Sequence, residues 1–316
     1  MKKYLKILFV LTFFNCTMSY ATTWDEPWAE KVIKESTSFI LAKVISSAEN
    51  GIKIVVRKTV SGKNLSDTIL INNFYLLNLC SSSGHGAEFY TEVVDSCYFF
   101  IKQNSKGQFC IATPTTGYDY VNEGKVVATF RHSYHQASVP VSVYEKAMTA
   151  VFNNYHDLPY DKGYLEKFVN EYLSKSPAGF DENQINTFFL QHVALECVYH
   201  LKLNINETLL LPYLNDKNNF HNQVSAARAM RVFNTETNKQ ELLKAIGDTT
   251  KRDFVRVICV WSLAEFKPTE LKAQLQQLAE SASDESDGFG GNIMDPRVCT
   301  HFPSLKDALK ELVDKL

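Results

Sequence analysis

Ile52, Ile54, Val56 and Val60 fall on alternate positions, with Lys53, Arg57 and Thr59 between them. A period of two is that of a strand with one buried side and one solvated side. A second apolar run, Phe39 to Ser46, precedes it across Asn50-Gly51, a pair that accepts the positive φ angles of a tight hairpin turn. The pattern predicts further strands at Thr68 to Ile71, Cys97 to Lys102, Phe109 to Ala112 and Val126 to Phe130, with glycines in the turns between them. Short strands with frequent turns predict a small antiparallel β-barrel. From Val143 the period lengthens to that of helices, predicted at Val143 to Asn154, Tyr164 to Leu173 and Asn183 to Leu201, with breaks at Pro159 and Ser176-Pro177-Ala178-Gly179. Val255, Ile258, Cys259, Ser262, Leu263 and Phe266 form one helical face, and Leu305, Ala308, Leu309, Leu312, Val313 and Leu316 form another. Ser304, three residues before Asp307, is placed to cap that last helix.

Two helical hairpins, Leu210 to Phe233 and Leu242 to Phe266, look alike. Leu214-Asn215-Asp216 matches Ile246-Gly247-Asp248 at an offset of 32, and Ala226, Met230 and Phe233 match Cys259, Leu263 and Phe266 at an offset of 33. A two-helix unit cannot bury its apolar stripe alone, so such units stack and share a core. Ser225-Ala226-Ala227-Arg228-Ala229-Met230 and Val255 to Ala264 resemble the second helix of the HEAT repeat, and the segments ending at Asp216 and Asp248 resemble its first helix and turn aspartate. The resemblance covers 209 to 266 and extends in looser form over 183 to 316; it implies an α-solenoid and a binding role.

The first half resembles the five-stranded oligonucleotide/oligosaccharide-binding-type barrels of secreted netrin-like and metalloprotease-inhibitor-like modules. Phe39-Ile40-Leu41-Ala42-Lys43-Val44, the long second strand ending Lys58-Thr59-Val60-Ser61-Gly62 and the aromatic Cys97-Tyr98-Phe99-Phe100-Ile101 carry the likeness over residues 32 to 115. Protease inhibition in that family depends on an N-terminal cysteine, whereas the mature chain here is expected to start Thr22-Thr23-Trp24, so it is not implied. The predicted fold class is therefore α+β in two domains: an OB-like antiparallel β-barrel over 22–140, then an all-α HEAT-like solenoid over 141–316.

Residues 1–21 have the charged, apolar and small-residue zones of a secretory signal peptide, with cleavage expected after Ala21 and delivery to the periplasm or exterior. Lipid attachment at Cys16 is disfavoured because Phe13-Phe14-Asn15 lacks small residues. No other run approaches the roughly 20 apolar residues that span a bilayer. Removing Lys2, Lys3 and Lys6 makes the formal charge of −2 more acidic still, which argues against nucleic acid as a partner. Export allows cysteines to pair. In the predicted hairpin Cys110 lies opposite Ile101, which leaves Cys97 too far along for a disulfide, and Cys80 is the better partner for either. Cys80 to Cys110 is the pairing taken, worth roughly 3–4 kcal/mol in the chain-entropy model.

The nucleophile elbow, the zincin helix, the P-loop, paired Cys-x-x-Cys and the dinucleotide fingerprint do not occur. Catalytic residues, cofactors and metal ligands are accordingly not assigned. Arg131, His132, Tyr134 and His135 form the densest polar and aromatic cluster, which His85 could join in space, and these five are the candidate binding residues. The loop holding Asp284, Glu285, Asp287, Asn292 and Asp295 misses the spacing of a twelve-residue calcium loop. The function expected is that of an exported, non-enzymatic scaffold that binds another protein. Two alternatives stay open: an inhibitor or immunity protein with one tight partner, and a hydrolase or lyase using His85, His132 or His135 in an interdomain cleft.

Overall fold

Strand β2 (Ser38–Ala48) sets the plan of the first half, because both of its faces are apolar. The computed structural model describes residues 24–25, 27–48, 51–65, 67–74, 96–113, 116–130, 135–289 and 298–316. The predicted leader lies outside them. β2 pairs antiparallel with β3 (Gly51–Gly62) on one side and β5 (Cys97–Gln103) on the other. Beyond β3 lies β4 (Thr68–Asn72); beyond β5 lie β7 (Tyr118–Asn122), β8 (Lys125–Phe130) and β9 (His135–Pro140), while the two-residue β6 (Phe109–Cys110) also pairs with β5. The result is an open antiparallel sheet of eight strands. Gly51 closes the β2–β3 hairpin where a Cβ would stand 2.3 Å from the Ile71 carbonyl oxygen, so only glycine lets β4 approach there.

Ala48 pairs with Gly51, so Gly51 is the first residue of β3 and not a central residue of the turn that Asn50-Gly51 predicts. Further along, Lys102 is opposite Cys110, one residue from the register expected on sequence. Strands β7 and β9 are additions to that expectation, and His135 is the first residue of β9.

Each face of the sheet has its own core. Phe39, Tyr98, Phe100, Val126, Ala128, Ala137 and Val139 face the helices. Ile40, Ala42, Val44, Ile52, Ile54, Ile71, Phe99 and Ile101 form a second cluster with Leu65, Phe74 and Ile111. β5 is apolar almost throughout because it contributes to both. On the helix side Phe39 is fully buried, stacked on Phe100 at 4.7 Å and Tyr98 at 5.5 Å, with Tyr144 and Phe152 each at 6.4 Å.

Ten α-helices occur among the described residues. The short α1 (Ala29–Glu35) precedes the sheet; α2 (Val141–Tyr155) follows it directly and lies against β3, β8, β9 and α1. Four helices then stand in a row, α4 (Ile185–Leu201), α6 (Phe220–Met230), α8 (Asp253–Ala264) and α10 (Leu305–Lys315), each packed on the next. Behind them lie α3 (Lys162–Leu173), α5 (Leu211–Leu214), α7 (Glu236–Gly247) and α9 (Lys272–Ser281), one to each partner. Asp216 Oδ1 accepts the Asn218 amide at 3.0 Å, and Asp248 Oδ1 accepts the Thr250 amide at 2.9 Å, so the two turn aspartates close equivalent turns. Buried Lys251 joins the neighbouring pairs by donating to the Leu214 carbonyl at 2.8 Å. Ser304 caps α10 as its sequence predicts, Oγ accepting the Asp307 amide at 3.0 Å.

Between α9 and α10 the chain makes β10 (Ser286–Phe289) and β11 (Val298–Ser304). The N-terminal β1 (Trp24–Asp25) adds to β11 in parallel, which brings the start of the described chain to the far end of the helix row. Phe39→Ala should cost about 3–5 kcal/mol, as expected for a large side chain lost from a filled core. Leu70→Ala, at a half-exposed site, should stay within about 0.5 kcal/mol; urea unfolding of both variants makes the comparison.

Candidate functional site

Helix α4 is buried from Gln191 to Leu201, yet it carries His192, Glu196 and His200. Spaced four apart, these three fall on one face. A buried polar group needs a partner, and α6 supplies them. Ser225 Oγ lies 2.6 Å from His192 Nε2, and Arg228 Nη1 donates to both oxygens of Glu196 at 3.1 and 3.3 Å. The other Arg228 nitrogen, Nη2, donates at 3.3 Å to Glu30 of α1. The guanidinium lies over the Tyr199 ring at 4.2 Å, with the Trp28 ring at 5.8 Å.

Two further links extend the network. His200 Nε2 is 3.2 Å from Glu196 Oε2, and its Nδ1 is 2.8 Å from the Tyr155 hydroxyl. The carboxylate only accepts, so Nε2 carries a proton. Tyr199 donates its hydroxyl to Glu30, and Arg231 donates to Tyr199 at 3.1 Å and to Glu265 at 2.5 Å. Burial alone pushes the Glu30 carboxyl up, but the charges of Arg228 and His200 outweigh it and hold the group below the ordinary 4.5. Burial pushes the Tyr155 phenol well up, aided by the charge of Glu30, so it stays protonated.

Around the network lies a cleft of about 1040 Å³, at the C-terminal ends of α4, α6 and α8. Trp28, Tyr155, Tyr199, Arg231 and Trp261 line it, and Lys31, Lys34 and Lys202 stand at its rim. Trp28 and Trp261 meet edge to face at 6.2 Å, and Lys34 lies 5.0 Å from the Tyr155 ring centre. A smaller hollow, about 120 Å³, lies beneath α1 between the sheet and α2.

The residues singled out on sequence are placed differently. Cys80, His85, Arg131, His132 and Tyr134 lie outside the described residues. His135 is described only as the first residue of β9, paired with Phe130. Cys110 carries a free, half-buried thiol in β6, and Cys97, Cys197 and Cys259 are free and buried. Burial pushes the Cys197 and Cys259 thiols up to about 12, which removes them as nucleophiles. Among the described residues no group of three His, Cys, Asp or Glu could hold a metal, and no helix is long and apolar enough to cross a membrane. Sequence reasoning missed the network, although the four-residue spacing of His192, Glu196 and His200 inside an apolar helix was visible. Compared with known proteins, the chain matches no family model, no curated protein and no solved structure.

Folding favours the charged form of Glu30, so its contribution to stability is complete above the ordinary carboxylate value and is lost as pH falls through its lowered one. Glu30→Gln should reduce stability at neutral pH by roughly 1–3 kcal/mol. The variant's unfolding midpoint should also fall less steeply than the wild type's below 4.5, which urea titrations across that range would measure.

Proposed function

We propose that the protein is an exported, non-enzymatic binding protein that takes hold of another protein at the Trp28–Trp261 cleft. The observation that carries this reading is the composition of the cleft: two tryptophans, two tyrosines and Arg231 converge on one concave surface. Those residue types dominate binding energy where proteins meet, because each offers a large rigid area together with a polar handle. The network beneath them fixes their positions, which lowers the ordering cost on binding.

The finer architecture belongs to the same proposal. The helical half is read as a HEAT-like solenoid, supported by the row α4, α6, α8 and α10 and by the equivalent turns at Asp216 and Asp248. Such rows present extended binding surfaces. The sheet is read as a barrel-like curl around its second core, supported by Asn72 Nδ2 donating at 3.3 Å to the Phe109 carbonyl, between β4 and β6.

An enzymatic reading draws on the Glu196–His200–Tyr155 chain, which lies between the cleft and the hollow. A phenol held protonated would serve there as a hydrogen-bond donor to a substrate oxygen. An inhibitor or immunity protein would share the binding surface and differ in having a single tight partner.

A photo-crosslinking residue placed at Lys34 or at Lys202 should form adducts with a partner in cells producing the protein, while the same residue at Lys310, outside the cleft, should not. Arg231→Ala should weaken those adducts about tenfold. A single adduct would favour the inhibitor reading, and equal labelling from all three positions would overturn the cleft as the binding surface. Tyr155→Phe, which keeps the ring and removes only the hydroxyl, should weaken the adducts less than Arg231→Ala does.

A further inference from the structure

The cleft changes character along α1. Trp28, just before the helix, meets Trp261 of α8 edge to face at 6.2 Å, whereas Lys34, near its other end, lies 5.0 Å from the ring centre of Tyr155 in α2. Tyr155 in turn hydrogen-bonds His200, and Lys202 follows directly after α4. Because the helices stand in the order α4, α6, α8, Lys202 and Trp261 lie on opposite flanks, with Arg231 at the end of α6 between them. One flank is aromatic and the other is basic.

Each carboxylate that lines the cleft already faces a cation. Glu30 lies 3.3 Å from Arg228, Glu35 lies 2.7 Å from Lys102, and Glu265 lies 2.5 Å from Arg231. Lys31 leans on Glu35 as well, at 3.9 Å. Lys34 and Lys202 are exposed, and among the described residues neither has a carboxylate partner. Among those residues the lining carries five lysines and arginines against three glutamates, on a chain whose formal charge is −2. Glu196 and Lys102, behind the wall, balance one another, so the excess is that of Lys34 and Lys202. The carbonyl ends of α4, α6 and α8 bring partial negative charge, but its effect is confined to the last turn, whereas each lysine ammonium stands clear on a four-carbon stem.

Trp28 and Lys34 are six residues apart. That separation is about 9 Å along a helix, which an extended chain covers in about three residues. We infer, resting on the cleft as the protein-binding surface, that its partner presents an acidic segment. An aromatic or large apolar residue of that segment seats against Trp28 and Trp261, and Asp or Glu about three residues along reaches Lys34 and Lys202. A basic flank on an acidic protein steers such a segment and sets its register, and gives a neutral segment nothing.

Calorimetric titration of the protein with two peptides tests the assignment. One is Asp-Glu-Gly-Ser-Phe-Ser-Gly-Asp-Glu, with acidic pairs on both sides of the anchor; the other has Asn-Gln in place of each Asp-Glu. The acidic peptide should bind saturably, and the neutral one at least about tenfold more weakly. Lys34→Gln combined with Lys202→Gln, at two exposed sites, should remove the difference, and so should about 0.5 M sodium chloride with the wild type. Equal binding of the two peptides, a preference that survives the double substitution, no saturable binding of the acidic peptide, or binding of phosphatidylglycerol vesicles in its place would overturn the inference. Each crosslinking variant keeps one of the two lysines, so adducts accompanying any of those results would leave the cleft as the binding surface and remove only its charge preference. Absence of adducts would overturn both.

Discussion

The arrangement of this protein depends on the guanidinium of Arg228, which is buried between the carboxylates of Glu30 and Glu196. Taking an ion pair out of water costs several kcal/mol per charge, and attraction offsets this only when every donor finds an acceptor. Here three elements contribute together: α6 supplies the cation, α4 one carboxylate and α1 the other, while Glu30 Oε2 is buried without a hydrogen bond among the described residues. Removing one partner strands the others, whereas apolar replacement of the whole set would cost little. The network is therefore better understood as fixing where α1 docks than as a large source of net stability.

That docking shapes both hollow regions. Residues of α1 and the preceding Trp28 wall the hollow over the sheet on one side and the cleft on the other. The parallel pairing of β1 with β11 holds the leading segment at a second point. Between these attachments the segment spans the helix row, and Trp28 contacts Trp261 and Phe302. The sheet contributes a rigid floor, because Phe39, Tyr98 and Phe100 fill the space under α2 and leave the hollow beside them.

Much of the fold was legible because its longer elements follow a single period. β2, β3 and β5 alternate or are apolar throughout, α2, α3 and α10 have capped or periodic sequences, and α4 is apolar along most of its length. The elements that escaped were short or mixed in character. β7 reads Tyr-Asp-Tyr-Val-Asn, with no clean alternation, and α1 is seven residues long. The network was illegible for a different reason: Glu30 and Arg228 are 198 residues apart, and neither lies in a local motif. Conversely, Arg131 to His135 attracted notice because polar and aromatic residues were adjacent in sequence, which says little about adjacency in space.

The central claim is that Glu30, through Arg228, pins α1 over the hollow and beside the cleft. Native-state hydrogen exchange at neutral pH, comparing the wild type with Arg228→Met, tests it most directly because methionine keeps the apolar bulk while removing the charge. The account predicts that the amides of α1 lose protection selectively, by at least about tenfold, while those of α8 and β5 keep theirs. Unchanged protection of α1, or an equal loss across all three elements, would contradict it.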